Sequence, residues 1–171
     1  MAIGVLLTIS IVIGLSITVL LVISAIYKKH STTRVSQQNF SKLLKKTKFP
    51  VISFTNNNIT LNFIIDTGAE ISCIDSRILT NLKYNNVKEM AKCAGLDGAV
   101  LDLDRNEMTL KDANGREYFL DFYARDFSDA FDQLNASIGI TLCGLIGNDF
   151  LQKYKSIIDF EQMIIYLKVN K

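Results

Sequence analysis

An aspartate closes an apolar run and is followed at once by Thr-Gly-Ala, in the stretch Phe63-Ile64-Ile65-Asp66-Thr67-Gly68-Ala69-Glu70. The preceding residues, 61–65, predict a short and mostly buried strand. Gly68 would then permit a backbone turn that a residue with a Cβ would resist. A carboxylate held against apolar walls at a strand end is suited to acid–base chemistry. Asp and Gly are also ordinary turn residues, so this stretch alone leaves a structural turn as the alternative.

A second apolar stretch that ends in glycine, Leu145-Ile146-Gly147, follows about eighty residues later and continues as Asn148-Asp149-Phe150-Leu151. The two motifs, in this order and at this spacing, resemble those of the retropepsin-like aspartic proteases. The continuation is most similar to that of the bacterial and the ubiquitin-linked eukaryotic members. The resemblance covers roughly residues 49–171.

The resemblance implies a role for each motif residue. Asp66 would be the catalytic carboxylate, and the residues that support it in the loop would be Thr67, Gly68 and Ala69. Leu145, Ile146 and Gly147 would pack beside that loop. Retroviral members often carry an arginine after the second-motif glycine, paired with the acidic residue of the first motif. Here Asn148 stands at that position, so Glu70 would lack the usual partner.

Peptide hydrolysis by this chemistry needs two carboxylates that share one proton. The chain has one Asp-Thr-Gly, so the second carboxylate would come from another copy across a two-fold axis. The sequence therefore predicts a homodimeric endopeptidase that acts on peptide or protein substrates without a cofactor. A catalytically silent binding module on the same fold remains the alternative, because such a module could retain Asp66.

The segment Gly95-Leu96-Asp97-Gly98 is the candidate flap, since its glycines would allow a loop to close over substrate. The assignment rests on its order along the chain, and a plain surface turn is an equal alternative. No metal site is predicted, because the chain has one histidine, His30, and its three cysteines lack metal-ligand spacing. An odd number of unpaired cysteines is typical of a reducing compartment.

The first 27 residues contain no charged side chain and are long enough to cross a bilayer as a helix. They predict a transmembrane anchor. A cleaved signal peptide is the alternative, although the run is long and no cation precedes it. Residues 28–48 carry seven cations and no acid, which predicts a basic juxtamembrane linker and a cytoplasmic protease domain over residues 49–171.

Charge is divided unevenly along the chain. Twelve of the nineteen cations and all seventeen acids lie beyond residue 48, so the predicted domain has a net charge near −5 although the whole chain is +2. This balance does not indicate a basic nucleic-acid surface on the domain. The cations of the linker fit anionic lipid headgroups beside the anchor, and a solvated linker is the alternative.

Strand and turn signals predict a mainly β domain. Hairpins are expected at Asn56-Asn57-Asn58, at Asn114-Gly115 and at Glu161-Gln162, each between apolar runs. One short helix is expected around residues 148–155. With the resemblance, these signals predict a small closed antiparallel β-barrel of retropepsin type that follows a single transmembrane helix.

Overall fold

The computed structural model describes residues 17–19, 21, 34–94 and 100–169. Val35–Lys168 form one compact unit. Residues 17–19 and 21 are helical and belong to a separate unit. Most of the predicted anchor and the whole candidate flap lie outside the described residues. Within the described residues, no helix combines the length and the apolar character needed to cross a membrane.

The described residues form ten strands: β1 (Arg34–Asn39), β2 (Val51–Asn56), β3 (Ile59–Ile65), β4 (Cys73–Asp75), β5 (Asn85–Ala94), β6 (Val100–Lys111), β7 (Glu117–Arg125), β8 (Leu142–Ile146), β9 (Ile157–Asp159) and β10 (Ile164–Val169). The described residues from 34 to 169 also form three α-helices and a 3₁₀ helix: α1 (Ser41–Thr47), the 3₁₀ helix (Ser76–Asn81), α2 (Ser128–Ile138) and α3 (Asn148–Lys153).

The larger sheet closes on itself. Its strands follow the order β2-β3-β8-β4-β7-β6-β5, and β2 also pairs with β6 through Thr55 and Lys111. Six of the described strands thus form a barrel, while β5 extends beyond β6. A three-stranded sheet follows the order β1-β10-β9. The prediction of a mainly β fold with a closed barrel is confirmed.

The predicted antiparallel pairing holds for most neighbouring strands of the barrel and fails for two pairs. β3 pairs with β8 in parallel, and β4 pairs with β7 in parallel. A parallel pair needs a crossover connection rather than a tight turn, and long stretches of chain separate the strands of both pairs. Turn signals in a sequence identify only the antiparallel neighbours that a hairpin joins.

The hairpin turns form where the sequence predicts them. Asn57 and Asn58 join β2 to β3 with φ of 50° and 63°, a conformation that asparagine tolerates better than most residues. Gly115 lies between β6 and β7 with φ of 73°. The turn between β9 and β10 contains Glu161 and Gln162. These short connections fix the register of the strands on either side.

The prediction of one short helix in the domain over residues 49–171 is wrong, because its described residues contain two α-helices, α2 and α3. The expected helix after Gly147 is α3. Helix α2 precedes β8 and packs its apolar side on the barrel through Phe131, whose ring stacks on Phe127 at 4.7 Å. Helix α1 forms within the segment that the sequence assigns to the linker. Propensity alone is a weak signal for helices this short, because packing supplies most of their stability.

Residues 35–48, grouped with the linker on the basis of sequence, belong to the compact unit. Phe40 is fully buried, and its backbone N–H donates to the carbonyl of Met163 over 2.9 Å. The hydroxyl of Ser36, 1% exposed, donates to the carboxylate of Asp112 over 2.6 Å. The folded unit therefore begins well before Phe49.

Aromatic rings join helix α3 to the barrel. Phe150 and Tyr154 lie on one side of the chain around α3, with ring centroids 4.6 Å apart. Phe150 contacts Phe54 of β2 at 5.9 Å, and Tyr154 contacts Tyr118 of β7 at 5.1 Å. Buried aromatic pairs of this kind contribute roughly 0.5–1.5 kcal/mol each beyond their area. The second sequence motif is therefore continuous with the main core.

Asp112, 4% exposed, is a buried carboxylate with its hydrogen-bonding capacity filled. Burial acts to raise its pKa. Hydrogen bonds from Ser36, from the backbone N–H groups of Arg116 and Asn114, and from Tyr118 outweigh burial and hold the pKa of Asp112 below its usual value. The ionised carboxylate thus connects β1 to the turn between β6 and β7.

A carboxylate with a lowered pKa stabilises the fold at pH values above the usual pKa of a carboxyl group. That stabilisation is lost as the pH falls through the lowered pKa. The free energy of unfolding should therefore fall as the pH drops below about 4. Asp112→Asn should lower it at neutral pH by roughly 1–3 kcal/mol and flatten the acid decline. Denaturant titrations across pH test this, with Asp129→Asn on exposed α2 as control. An unchanged pH profile in Asp112→Asn would contradict the assignment.

Candidate active site

The Asp66 loop begins directly after β3 and is closed by its own hydrogen bonds. The backbone N–H of Asp66 donates to the carbonyl of Ile146 over 3.0 Å, and the carbonyl of Asp66 accepts from Ala69 over 3.2 Å. The N–H of Gly68 donates to Asp66 Oδ1 over 2.9 Å. The carboxylate, partly exposed, is thus held at the strand end by the turn that follows it.

Gly68 serves the loop differently from the sequence-based expectation. Its φ lies outside the left-handed region, so the turn does not need glycine for its backbone angles. A Cβ at position 68 would lie 3.3 Å from Asp66 Oδ1, closer than most real contacts. Glycine therefore keeps space beside the carboxylate.

The second motif crosses the Asp66 loop at very close range. A Cβ on Gly147 would lie 2.5 Å from the carbonyl oxygen of Ile71 and 3.1 Å from that of Ala69. Both atoms belong to the backbone, so no side-chain rotation could relieve the contact. Gly144 is similarly close to β4, because its Cβ would overlap the carbonyl oxygen of Cys73. Only glycine fits at these crossings.

Asn148 binds the Asp66 loop twice. Its side-chain Nδ2 donates to the carbonyl of Thr67 over 2.8 Å, and its backbone N–H donates to the carbonyl of Ala69 over 2.9 Å. The next N–H, of Asp149, donates to the carbonyl of Glu70 over 3.1 Å. The asparagine therefore supports the loop by binding its backbone carbonyls. The Glu70 side chain makes no ion pair with any described residue.

A buried hydrogen-bond network joins the two motifs, and sequence analysis did not find it. Asp149 accepts from the backbone N–H of Ser72 over 2.9 Å and from its hydroxyl over 2.6 Å. Ser72 is fully buried, and its Oγ accepts from the N–H of Gly147 over 3.0 Å. Asp149 also accepts from the N–H of Phe150, at the start of α3. An acid in the first turn of a helix is a familiar signal because it complements the helix dipole, whereas nothing in the sequence marked Ser72.

The tip of the loop is exposed. Thr67 and Gly68 both face solvent, and the Thr67 hydroxyl makes no hydrogen bond within the described part of the chain. A groove of about 400 Å³ adjoins Thr67 and Asn148 and continues along α3 to Ile158 of β9. A loop that is rigid at its base and open at its tip is suited to contact another molecule.

A larger groove of about 810 Å³ lies elsewhere on the barrel, between the β2–β3 turn and strands β6 and β7. It includes no residue of the Asp66 loop, so its size does not make it the reaction site. In residues 34–94 and 100–169, no three His, Cys, Asp or Glu side chains group together as a metal site would require. Cys73 and Cys143 are buried, and burial raises the pKa of the Cys143 thiol.

The structure brings the two predicted motifs together. Leu145 and Ile146 lie in β8, beside β3, and Gly147 leads from β8 to α3. Asp66, Thr67, Gly68 and Ala69 form the adjoining loop. The candidate flap residues Gly95, Leu96, Asp97 and Gly98 lie outside the described residues, between β5 and β6 in the chain.

No protein-family model matches the chain, and no curated protein matches it. Among solved structures, the chain is similar to the EIAV protease complexed with the inhibitor HBY-793. The sequences are 22% identical, the TM-score is 0.46, and the match covers 66% of this chain and 93% of that one. A likeness at this identity and TM-score carries no argument about function.

Removing the Asp149 carboxylate should loosen the crossing of the two motifs. Asp149→Ala leaves the buried Ser72 hydroxyl and N–H without their acceptor, which should lower the free energy of unfolding by roughly 1–3 kcal/mol. Amide hydrogen exchange should accelerate at Ser72 and Gly147 before it does in the barrel strands. Glu70→Gln, in the same loop, is the matched control and should change neither measurement. Unchanged exchange in Asp149→Ala would contradict the positioning role.

Proposed function

We propose that the chain is a retropepsin-like aspartic endopeptidase that acts as a homodimer. The observation that carries the proposal is the geometry of Asp66. Its carboxylate stands partly exposed at the end of β3, braced by Gly68, on a loop whose base is clamped by the second motif. The bond from Gly68 N–H is also that of an ordinary Asx turn, so the support comes from the clamped loop base, which holds a partly exposed carboxylate at a fixed position.

The proposed reaction uses one Asp66 from each copy. The ionised carboxylate of the pair accepts a proton from a bound water while the protonated one donates to the carbonyl oxygen of the scissile peptide. The water oxygen bonds to the carbonyl carbon. The tetrahedral intermediate then collapses: its C–N bond breaks, and the amine leaves with the proton taken from water. One hydroxyl of the intermediate returns its proton to the other carboxylate as the C=O bond re-forms, so the pair again holds one proton. The shared proton belongs to the pair rather than to either residue.

The surface around Thr67 supports a second copy as the partner. The exposed Thr67 hydroxyl is available to bind the same loop across a two-fold axis. Beyond the adjoining groove, Ile157 is 53% exposed on β9, a strand at the edge of its three-stranded sheet. An exposed apolar side chain on an edge strand is a ready contact for another chain.

Membrane anchoring by residues 1–27 and a cytoplasmic protease domain complete the proposal. Their support is the uncharged N-terminal run and the seven cations that follow it before any acid. Confinement to a membrane would raise the effective concentration of the copies and favour the dimer. Loss of the domain to protease added outside sealed cells would contradict this orientation.

Asp66→Asn tests the catalytic assignment. The amide keeps nearly the shape of the carboxylate but cannot accept the proton from water, so cleavage of a peptide library should fall to background, by at least about 10³-fold. The unfolding free energy should change little, because Asp66 is partly exposed. Glu70→Gln should retain cleavage. Equal cleavage by Asp66→Asn and the parent would refute the assignment, and a parent inactive at every pH would favour the binding module.

Mixing the two forms tests the dimer. Asp66→Asn subunits should exchange into parent dimers and leave each hybrid with one carboxylate. At equal amounts, about one quarter of the dimers would retain both carboxylates, so activity per parent subunit should fall to about half. Ile157→Lys should weaken the dimer, whereas Phe119→Lys, on the exposed side of β7, should not. Activity unaffected by the added Asp66→Asn chain would exclude a shared site.

A further inference from the structure

Helix α1 has two faces of different character. Phe40 and Thr47 are buried, and Leu43 packs against the core cluster that contains Val51 and Phe131. The other face and the residue after it carry four exposed cations: Lys42, Lys45, Lys46 and Lys48. Residues three and four apart are neighbours on a helix surface, so Lys42, Lys45 and Lys46 form one contiguous patch. The helix contains no acid.

The charge of this patch is not neutralised by the surrounding protein. Within the described residues, none of the four lysines forms an ion pair with a carboxylate, and Lys48 Nζ instead donates to the carbonyl of Lys45. Several cations elsewhere on the domain are paired: Arg77 with Asp75 and Asp132, Arg105 with Asp121, Lys111 with Glu117, and Lys153 with Asp121. Helix α1 and the residue after it therefore carry four cations within residues 42–48, and none of them is paired with a described carboxylate.

An apolar side chain borders the patch. Phe49 follows Lys48 directly and is 43% exposed. The Thr47 hydroxyl accepts from the backbone N–H of Phe49 and donates to its carbonyl, over 3.0 and 2.7 Å, which fixes this residue beside the helix. Cations beside an exposed aromatic ring are the combination by which amphipathic helices bind membrane interfaces.

The chain before the patch indicates the partner. Residues 1–27 carry no charge, and only residues 28–34 separate them from Val35. Seven residues reach at most roughly 25 Å when fully extended. If the uncharged run enters a bilayer, α1 must remain close to that bilayer surface. The rest of the domain is acidic and would be repelled by anionic headgroups, so the cationic face is the one that could approach them.

We propose that the outward face of α1, Lys42, Lys45, Lys46 and Lys48 with Phe49, binds the surface of an anionic lipid bilayer. Each lysine near such a surface strengthens binding roughly fivefold, and the contributions decline with salt. The contact would fix the domain against the membrane through a folded surface rather than through a flexible tether. It rests on the proposed membrane anchoring by residues 1–27 but not on peptide hydrolysis, so loss of catalysis would leave it standing.

The experiment uses the full chain, reconstituted in lipid nanodiscs of phosphatidylcholine alone or with phosphatidylserine. The chain has no tryptophan, so Phe49→Trp supplies a single reporter at the patch. In phosphatidylserine discs its emission should shift to shorter wavelength and be quenched by brominated lipids. Salt at about 1 M should reverse both effects. Phe119→Trp, at a position that is 61% exposed, is the matched reporter elsewhere and should respond to neither lipid.

A charge-matched pair of variants completes the design. Replacing Lys42, Lys45, Lys46 and Lys48 by Gln should abolish the phosphatidylserine-dependent quenching. Replacing Lys83, Lys111, Lys153 and Lys168 by Gln should leave it intact. Co-elution of the chain with discs of phosphatidylcholine alone reports separately whether residues 1–27 insert into lipid. The proposal is overturned if quenching is equal in both lipids, if both variants behave alike, or if soluble phosphoserine or an RNA duplex, but not the anionic disc, changes the emission of the Phe49→Trp reporter.

Discussion

The backbone crossing at Gly147 is the constraint on which the rest of the candidate site depends. No side chain fits at this position, because the carbonyl oxygen of Ile71 occupies the space of a Cβ. The close approach lets Asn148 and Asp149 reach the carbonyls of the Asp66 loop and lets Ser72 accept from Gly147. The loop is thereby fixed from behind, while its tip stays exposed. A catalytic group needs this division between a rigid base and an accessible end.

The same crossing connects the site to the hydrophobic core. Asp149 is the second residue of α3, and the next residue, Phe150, packs against Phe54 and Tyr118 in the barrel. Because α3 is held by buried rings and begins at the network around Ser72, its position and the position of Asp66 are coupled. Stability and the geometry of the candidate site therefore depend on the same residues, and a change at Phe150 would reach Asp66 through only a few contacts.

The charged segment at the N-terminal end of the domain contributes buried residues to the fold and exposed lysines to the surface. Ser36 and Phe40 are buried and bind the turn regions of other strands, whereas the lysines of α1 stay exposed. The composition of residues 35–48 suits either a basic linker or a folded helix. Apolar residues at helical spacing decide in favour of the helix. This arrangement would hold the barrel in one orientation relative to a membrane that binds α1.

The sequence by itself determined the local features: the Asp66 strand end, the hairpin turns at Asn57-Asn58 and Gly115, the helix after Gly147 and the mainly β character. Each depends on neighbouring residues, so each leaves a readable pattern. Only the tertiary structure decided the parallel pairing of β3 with β8, the addition of residues 35–48 to the fold, helix α2 and the Ser72–Asp149 network. These arise from contacts between residues far apart in the chain, such as Ser72 and Asp149, which are 77 positions apart. No local pattern encodes such contacts, because the partners meet only when the barrel closes.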